Sequence, residues 1–139
     1  MASTLLIGGA RSGKSALAGE LAVKWGGPVT FIATAEARDD EMAARIARHR
    51  DERYETWTTI EEPIEIARTI AEVAAEDLVI LDCLTLWASN LMDRGSDPRD
   101  GEARAREASS IAAARAHPVI VITNEVGSGI VPDNELARA

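Results

Sequence analysis

The 139-residue sequence contains a single cysteine, Cys83, which excludes an internal disulfide and a cysteine-rich metal centre and agrees with a reducing compartment. It also lacks an excess of basic residues: 15 Lys and Arg stand against 23 Asp and Glu, a net charge of −8 at pH 7. A protein that binds nucleic acid over its whole surface needs the opposite balance, so no nucleic-acid partner is expected and any anion site must be local. No apolar run approaches the length needed to span a bilayer. The opening stretch MASTLLIGGARSGKS has neither a basic n-region nor a cleavage site, so the expectation is a cytoplasmic protein without a membrane span. Internal repeats and low-complexity tracts are missing as well.

What is present is a globular composition, with 46% hydrophobic and 27% charged residues. The length fits one domain, 1–139. Four short apolar runs rich in β-branched residues, TLLIG (4–8), VTFIA (29–33), LVILDC (78–83) and VIVIT (119–123), read as strands covered on both faces. Helical patterns separate them. Ser15 to Trp25 carries a stripe of Leu17, Ala18, Leu21, Ala22 and Trp25 and is stopped by Gly-Gly-Pro. DDEMAARIARHR opens with Asp39 and Asp40 as cap candidates. Pro63 is expected to start a helix with Ile66, Ile70, Val73 and Ala74 on one face. Leu84, Trp87 and Leu91 mark a further short helix, residues 93–101 an exposed loop, and the Ala- and Arg-rich stretch 102–116 a last helix.

The segment GGARSGKS fits G-x-x-x-x-G-K-[ST], with Gly8, Gly9, Ala10, Arg11, Ser12, Gly13, Lys14 and Ser15. Small residues let the backbone curl so that successive N–H groups point inward, and the following helix adds its positive N-terminal dipole. Lys14 would reach the β and γ oxygens of a nucleotide, and Ser15 would ligate Mg²⁺. The motif lies between a strand pattern and a helix pattern, the context it requires. The alternation predicts an α/β, P-loop NTPase-type (RecA-like) three-layer fold with a mainly parallel sheet. Asp82, at the end of LVILD, is then expected beside the phosphate loop, holding Mg²⁺ directly or through water. It is equally a candidate N-cap for the helix that follows.

His49 is one of only two histidines and sits in ARIARHRDER. Arg45 and His49 are i and i+4, so they share a helix face, and Arg48 and Arg50 flank the imidazole. Spacing leaves two readings open. The segment is either a solvated basic helix or a phosphate site in which a neutral imidazole attacks phosphorus. The other histidine, His117, precedes Pro118 at the entry to a strand and reads as structural.

Taken together, GGARSGKS, EARDDEMAARIARHRDER, LVILDCLTLWASNL and TNEVGSGIVPDNELAR resemble the bifunctional adenosylcobinamide kinase and adenosylcobinamide-phosphate guanylyltransferase family of adenosylcobalamin biosynthesis. The resemblance runs along nearly the whole chain. It implies two successive reactions: phosphorylation of the aminopropanol hydroxyl of adenosylcobinamide by ATP or GTP, then transfer of GMP from GTP to that phosphate through a GMP-histidine intermediate. The family pattern R-I-x-x-H falls on Arg45, Ile46 and His49, so His49 is the residue the resemblance marks for guanylylation. It likewise implies nucleotide contacts for Gly8 to Ser15, for Ala33, Thr34 and Ala35, for Arg50, Asp51, Glu52 and Arg53, and for Glu61 and Asp82. Lys14 joins His49 as a catalytic residue, Ser15 and Asp82 are the metal positions, and GTP, ATP and Mg²⁺ are the implied ligands. The resemblance also implies a homotrimer.

The sequence departs from the family pattern in two places. Arg53 is followed by Tyr54 where the family has proline, and the chain ends at Ala139, inside the helix expected after NELAR. The C-terminal part of the family's length is therefore expected to be absent. Two rival functions use the same phosphate loop, a single-function small-molecule kinase and a non-catalytic nucleotide-binding module. A guanine-specific switch GTPase is disfavoured because N-K-x-D is missing, TNEVG being the nearest text.

Overall fold

The computed structural model describes residues 4–8, 14–36, 39–51 and 56–124. In chain order the elements are β1 (Thr4–Gly8), α1 (Lys14–Trp25), β2 (Val29–Ala33), α2 (Asp40–Asp51), β3 (Thr58–Glu61), α3 (Ile66–Glu72), β4 (Leu78–Asp82), α4 (Leu84–Asp93), α5 (Pro98–Ala114) and β5 (Val119–Asn124). All strand pairs are parallel, in one five-stranded sheet of order β1-β5-β4-β2-β3.

Parallel strands joined by helices must bury both faces, and alternate residues of each strand do so. On one face Val29, Phe31, Ala33, Leu78, Ile80, Ile120 and Ile122 pack against Ala18 and Ala22 of α1, with Leu21 and Trp25 at the margin. The small alanines allow this helix to lie close to the sheet. On the other face Ile32, Val79, Leu81 and Val119 meet Ile66 and Ile70 of α3, Trp87 and Leu91 of α4, and Ala108 and Ala112 of α5. Each isoleucine buried in this way contributes about 1.5–3 kcal/mol relative to leaving it in water. The result is the expected three layers with a mainly parallel sheet.

Local chemistry sets the element ends. Gly26, at φ +81°, stops α1 where the Gly-Gly-Pro signal predicts. Asp39 Oδ1 accepts the Met42 N–H at 2.7 Å and caps α2. At the far end of α3 the Arg115 guanidinium donates to the carbonyls of Ile70, Val73, Ala74 and Asp77, at 3.2, 3.1, 2.6 and 2.9 Å, so one side chain gathers the acceptors of the last turn and of the segment that follows it.

Several boundaries differ from the sequence reading. Residues 93–101 are not a loop: α5 already begins at Pro98, because Asp97 caps it by accepting the Asp100 N–H and Pro98 fits the first helical turn. Pro63 does not start α3. The carboxylate of Glu62 accepts the N–H groups of Ile64 and Glu65, both at 3.0 Å, and this turn delays the helix to Ile66. Ile66, Ile70 and Val73 are buried, but Ala74 lies beyond the helix and is exposed. Leu17 is 44% exposed and stands outside the α1 stripe. β4 ends at Asp82, and Cys83 is the N-cap of α4, its Sγ accepting the Leu86 N–H, so the cap candidate Asp82 gives way to its neighbour. The sequence reading had no strand at β3, whose partly exposed TTIE lacks a long apolar run and, among the described residues, pairs with β2 alone.

Candidate functional site

In an open parallel sheet, ligands bind outside the carboxyl ends of the strands. Here the strand register aligns those ends. Glu61 pairs with Ala33, Ala33 with Asp82, Asp82 with Ile122, and Ile122 with Leu6, forming one row across the sheet. Two residues further on, Gly8 of β1 pairs with Asn124 of β5. Paired residues of parallel strands share a face, and Ala33 and Ile122 lie on the face covered by α1. Asp82, half-buried, and Glu61, exposed, therefore lie on that face too. Neighbouring strands are about 4.8 Å apart, so the Glu61 and Asp82 backbones are separated by roughly 10 Å. Asp82 is also two strands from β1, since β5 runs between them. The sequence reading of Asp82 directly beside the loop is thus refined to a position across one strand.

The chain leaves β1 at Gly8 and enters α1 at Lys14, so the amino end of α1 follows directly from the carboxyl end of β1. A helix start at that position offers free N–H groups and a positive dipole to an anion. Gly9, Ala10, Arg11, Ser12 and Gly13 lie outside the described residues, as do the side chains of Lys14 and Ser15.

Thr34 is buried at the end of β2, where its N–H donates to the Asp82 carbonyl at 2.9 Å. Its hydroxyl donates to the Cys83 carbonyl at 2.8 Å and accepts the Cys83 N–H at 2.9 Å. The Asp82–Cys83 peptide is cis. On the other flank the Thr85 and Thr123 hydroxyls are 2.9 Å apart, joining the first turn of α4 to β5. Ala35 follows half-buried, and Glu36 accepts two hydrogen bonds from Arg94, at 2.9 and 3.0 Å. The Glu36 carboxylate holds the Arg94 guanidinium above its ordinary pKa against the smaller opposing effect of burial.

α2 carries the remaining candidates. Arg45 and Arg48 are exposed, while Met42 and Ile46 are half-buried. The His49 backbone lies in the last turn of α2, about 13 Å along the axis from Asp40 at 1.5 Å per residue. It is not part of the strand-end row. Asp51 closes the helix and is exposed. The side chains of His49 and Arg50, and all of Glu52 and Arg53, lie outside the described residues. His117 packs edge-on against Trp25, ring centroids 5.3 Å apart, just before the amino end of β5 and hence at the opposite end of the sheet.

Among the described residues no group of three or more His, Cys, Asp or Glu could hold a metal ion. In nucleotide sites Mg²⁺ is usually carried by the phosphates and held by one or two protein oxygens. The half-buried carboxylate of Asp82 fits such a role. Sequence reasoning missed Asn90, which is 3% exposed on α4 and donates to the carbonyls of Thr34 and Pro63, at 2.8 and 3.1 Å. The available signal was an amide on the apolar stripe of Trp87 and Leu91.

The chain is similar to known proteins along nearly its whole length. Residues 4–139 match the family described as cobinamide kinase / cobinamide phosphate guanyltransferase. The bifunctional adenosylcobalamin biosynthesis protein CobP of Pseudomonas aeruginosa is 46% identical over 138 residues, covering 96% of this chain and 78% of that protein. The corresponding CobU proteins of Escherichia coli and Salmonella typhimurium are 42% and 41% identical, each covering 96% of this chain and 81% of theirs. Among solved structures, the RadB recombinase superposes with a TM-score of 0.60 at 20% identity, over 97% of this chain and 69% of that one. At that identity the likeness speaks for the fold alone, and it is the RecA-like P-loop fold.

Proposed function

Because the chain belongs to the cobinamide kinase / cobinamide phosphate guanyltransferase family, we propose that it phosphorylates adenosylcobinamide and then guanylylates the product in adenosylcobalamin biosynthesis. The observation that carries this reading is the family match over residues 4–139, which includes the complete phosphate-loop motif at the β1–α1 junction. In the first step the aminopropanol hydroxyl oxygen bonds to the γ-phosphorus of ATP or GTP, the β–γ bridging P–O bond breaks, and the hydroxyl proton is lost. Lys14 and the loop N–H groups neutralise the charge that gathers on the β and γ oxygens. Bound with the nucleotide, Mg²⁺ would supply further charge neutralisation, with Ser15 and Asp82 as its protein ligands.

In the second step an imidazole nitrogen of His49 bonds to the α-phosphorus of GTP and pyrophosphate leaves. The corrinoid phosphate then attacks the GMP-histidine, forming the adenosylcobinamide-GDP pyrophosphate bond and freeing the imidazole. Arg45, Arg48, Arg50 and Arg53 assist with charge, and Ala33, Ala35, Asp51, Glu52 and Glu61 complete the nucleotide contacts, with Thr34, buried and bonded through its hydroxyl to Cys83, behind them. Of the two readings left open for the arginine-flanked histidine, this one adopts the phosphate site. The same reading makes residues 1–139 one nucleotide-binding domain acting in the cytoplasm as a homotrimer. Among the described residues no helix is long and apolar enough to cross a membrane.

Incubation with α-³²P-GTP and Mg²⁺ tests the proposal. The expected product is protein-bound label that survives alkali and is lost in acid, the behaviour of a phosphoramidate. His49→Ala should abolish labelling and adenosylcobinamide-GDP formation while leaving phosphorylation of adenosylcobinamide measurable. Labelling of His49→Ala at the wild-type rate would remove the histidine from the mechanism, and a single-function kinase would then account for the phosphate loop.

A further inference from the structure

Asn90 is a buried amide on the apolar side of α4, between Trp87 and Leu91, both also buried. A leucine or alanine would satisfy packing there, and a buried amide without partners is destabilising, so its hydrogen bonds must account for it. Its two N–H groups go to two different chain segments. One is the Thr34 carbonyl just past the end of β2, and the other is the Pro63 carbonyl in the turn after β3, two residues beyond Glu61. Thr34 in turn grips the end of β4, with its N–H on the Asp82 carbonyl and its hydroxyl both donating to and accepting from Cys83. The Glu62 N–H closes the set by donating to the Ala33 carbonyl at 2.9 Å. Thr34 is fully buried, so water does not compete for these bonds.

We propose that Asn90 and Thr34 are positioning residues, a buried brace that fixes the ends of β2, β3 and β4 relative to one another and so sets Asp82 and Glu61 for the Mg²⁺-nucleotide. The inference rests on the nucleotide-site reading above and deepens it: the Thr34 hydroxyl is engaged by Cys83 both as donor and as acceptor, and Asn90 reaches the site through backbone carbonyls. Site geometry is sensitive to such support, since a displacement of about 1 Å can change a rate a hundredfold. A brace of this kind acts on Asp82 more than on the fold, because the two cores on either side of the sheet hold the strands in place without it.

The test compares Thr34→Val, which keeps the shape and removes the hydroxyl, Thr34→Ser, which keeps the hydroxyl, and Asn90→Ala, with Asp82→Asn as the reference for lost metal binding. Each protein is titrated with a fluorescent GTP analogue with and without Mg²⁺, its melting temperature is recorded, and kcat and KM for phosphoryl transfer are measured well below the melt. Thr34→Val and Asn90→Ala should lose roughly tenfold or more of the Mg²⁺-dependent gain in nucleotide affinity and of kcat, with nucleotide affinity in the absence of Mg²⁺ little changed. Thr34→Ser should recover most of that loss. If Thr34→Val melts lower but binds and turns over Mg²⁺-nucleotide as wild type does, the brace is structural only and the proposal fails; Thr34→Val alone decides should Asn90→Ala not fold. An Asp82→Asn protein with unaltered Mg²⁺ dependence would sink the metal role of Asp82 and this inference with it. An altered Asp82→Asn beside an unaltered Thr34→Val would sink the inference alone.

Discussion

Asp82 lies at the residue where β4 ends, half-buried on the α1 face, with Cys83 beside it capping the next helix. Asp82→Asn removes one formal charge with almost no change in volume, and the carbonyl that Thr34 holds is untouched. Turnover is therefore expected to fall by at least a hundredfold at low Mg²⁺, while the unfolding free energy shifts by less than about 1 kcal/mol, since the Thr34 clamp bonds backbone atoms only. Equal Mg²⁺ dependence in the variant and wild type, read from initial rates across a Mg²⁺ series, would contradict the assignment. This residue was legible in the sequence because an acid at the end of an apolar run has a local signature. Thr34 and Asn90 in their bracing role were not, because their partners lie 49 and 56 residues away along the chain and only the folded register brings them together. Cys83 was read only for the disulfide and metal centre that a lone cysteine excludes and for the redox compartment, whereas in the fold its sulfur is a weak acceptor at a helix start.

At the scale of elements, the continuous apolar strands were readable and the half-exposed β3 was not. VTFIA and LVILD are continuous apolar runs because both their faces are covered, whereas TTIE of β3 is half-exposed at a described edge and carries no such run. Helix starts followed side-chain chemistry: Asp39 and Asp97 cap where an Asp precedes a helical pattern, and the Glu62 turn moved α3 downstream of its proline. α2 differs from the other helices in that none of its described side chains is buried, so tertiary packing adds little to its stability and the cap matters more. Asp39→Ala removes a 2.7 Å bond to the Met42 N–H and should destabilise α2 locally by about 0.5–2 kcal/mol. Hydrogen exchange should report faster exchange of the α2 amides with little change in β4 or β5. If α2 carries the guanylylated histidine, labelling from α-³²P-GTP should slow severalfold while phosphoryl transfer stays near the wild-type rate. Slowing of both steps in equal proportion would show that α2 does not separate the two chemistries.

For the molecule as a whole, topology and charge pose one problem. The sheet brings β1, β2, β3 and β4 to a common edge, yet the chain carries a net charge of −8 and its proposed ligands are anions. Nucleotide affinity then cannot come from the overall field, which opposes it. At physiological ionic strength charges beyond about 8 Å are largely screened, so the distant acids matter little and the local groups decide. Under the proposed reading those groups are the loop N–H groups, the positive end of α1, the Lys14 ammonium and the arginines near His49, and removing Lys14, the charge set against the β and γ oxygens, should outweigh any change elsewhere on the surface. Mg²⁺-GTP at a hundred times its dissociation constant should raise the unfolding free energy by about 2.7 kcal/mol, because it binds only the folded chain. For a protein of this size that corresponds to a melting temperature higher by roughly 5–10 °C. Lys14→Ala should lose most of that shift and weaken both phosphoryl and guanylyl transfer. His117→Ala changes a side chain at the opposite end of the sheet, against Trp25, so it should lower the baseline melt but keep the full ligand-induced shift and normal labelling. A Lys14→Ala protein stabilised by Mg²⁺-GTP as strongly as the wild type would mean that the phosphates are held somewhere other than the β1–α1 junction.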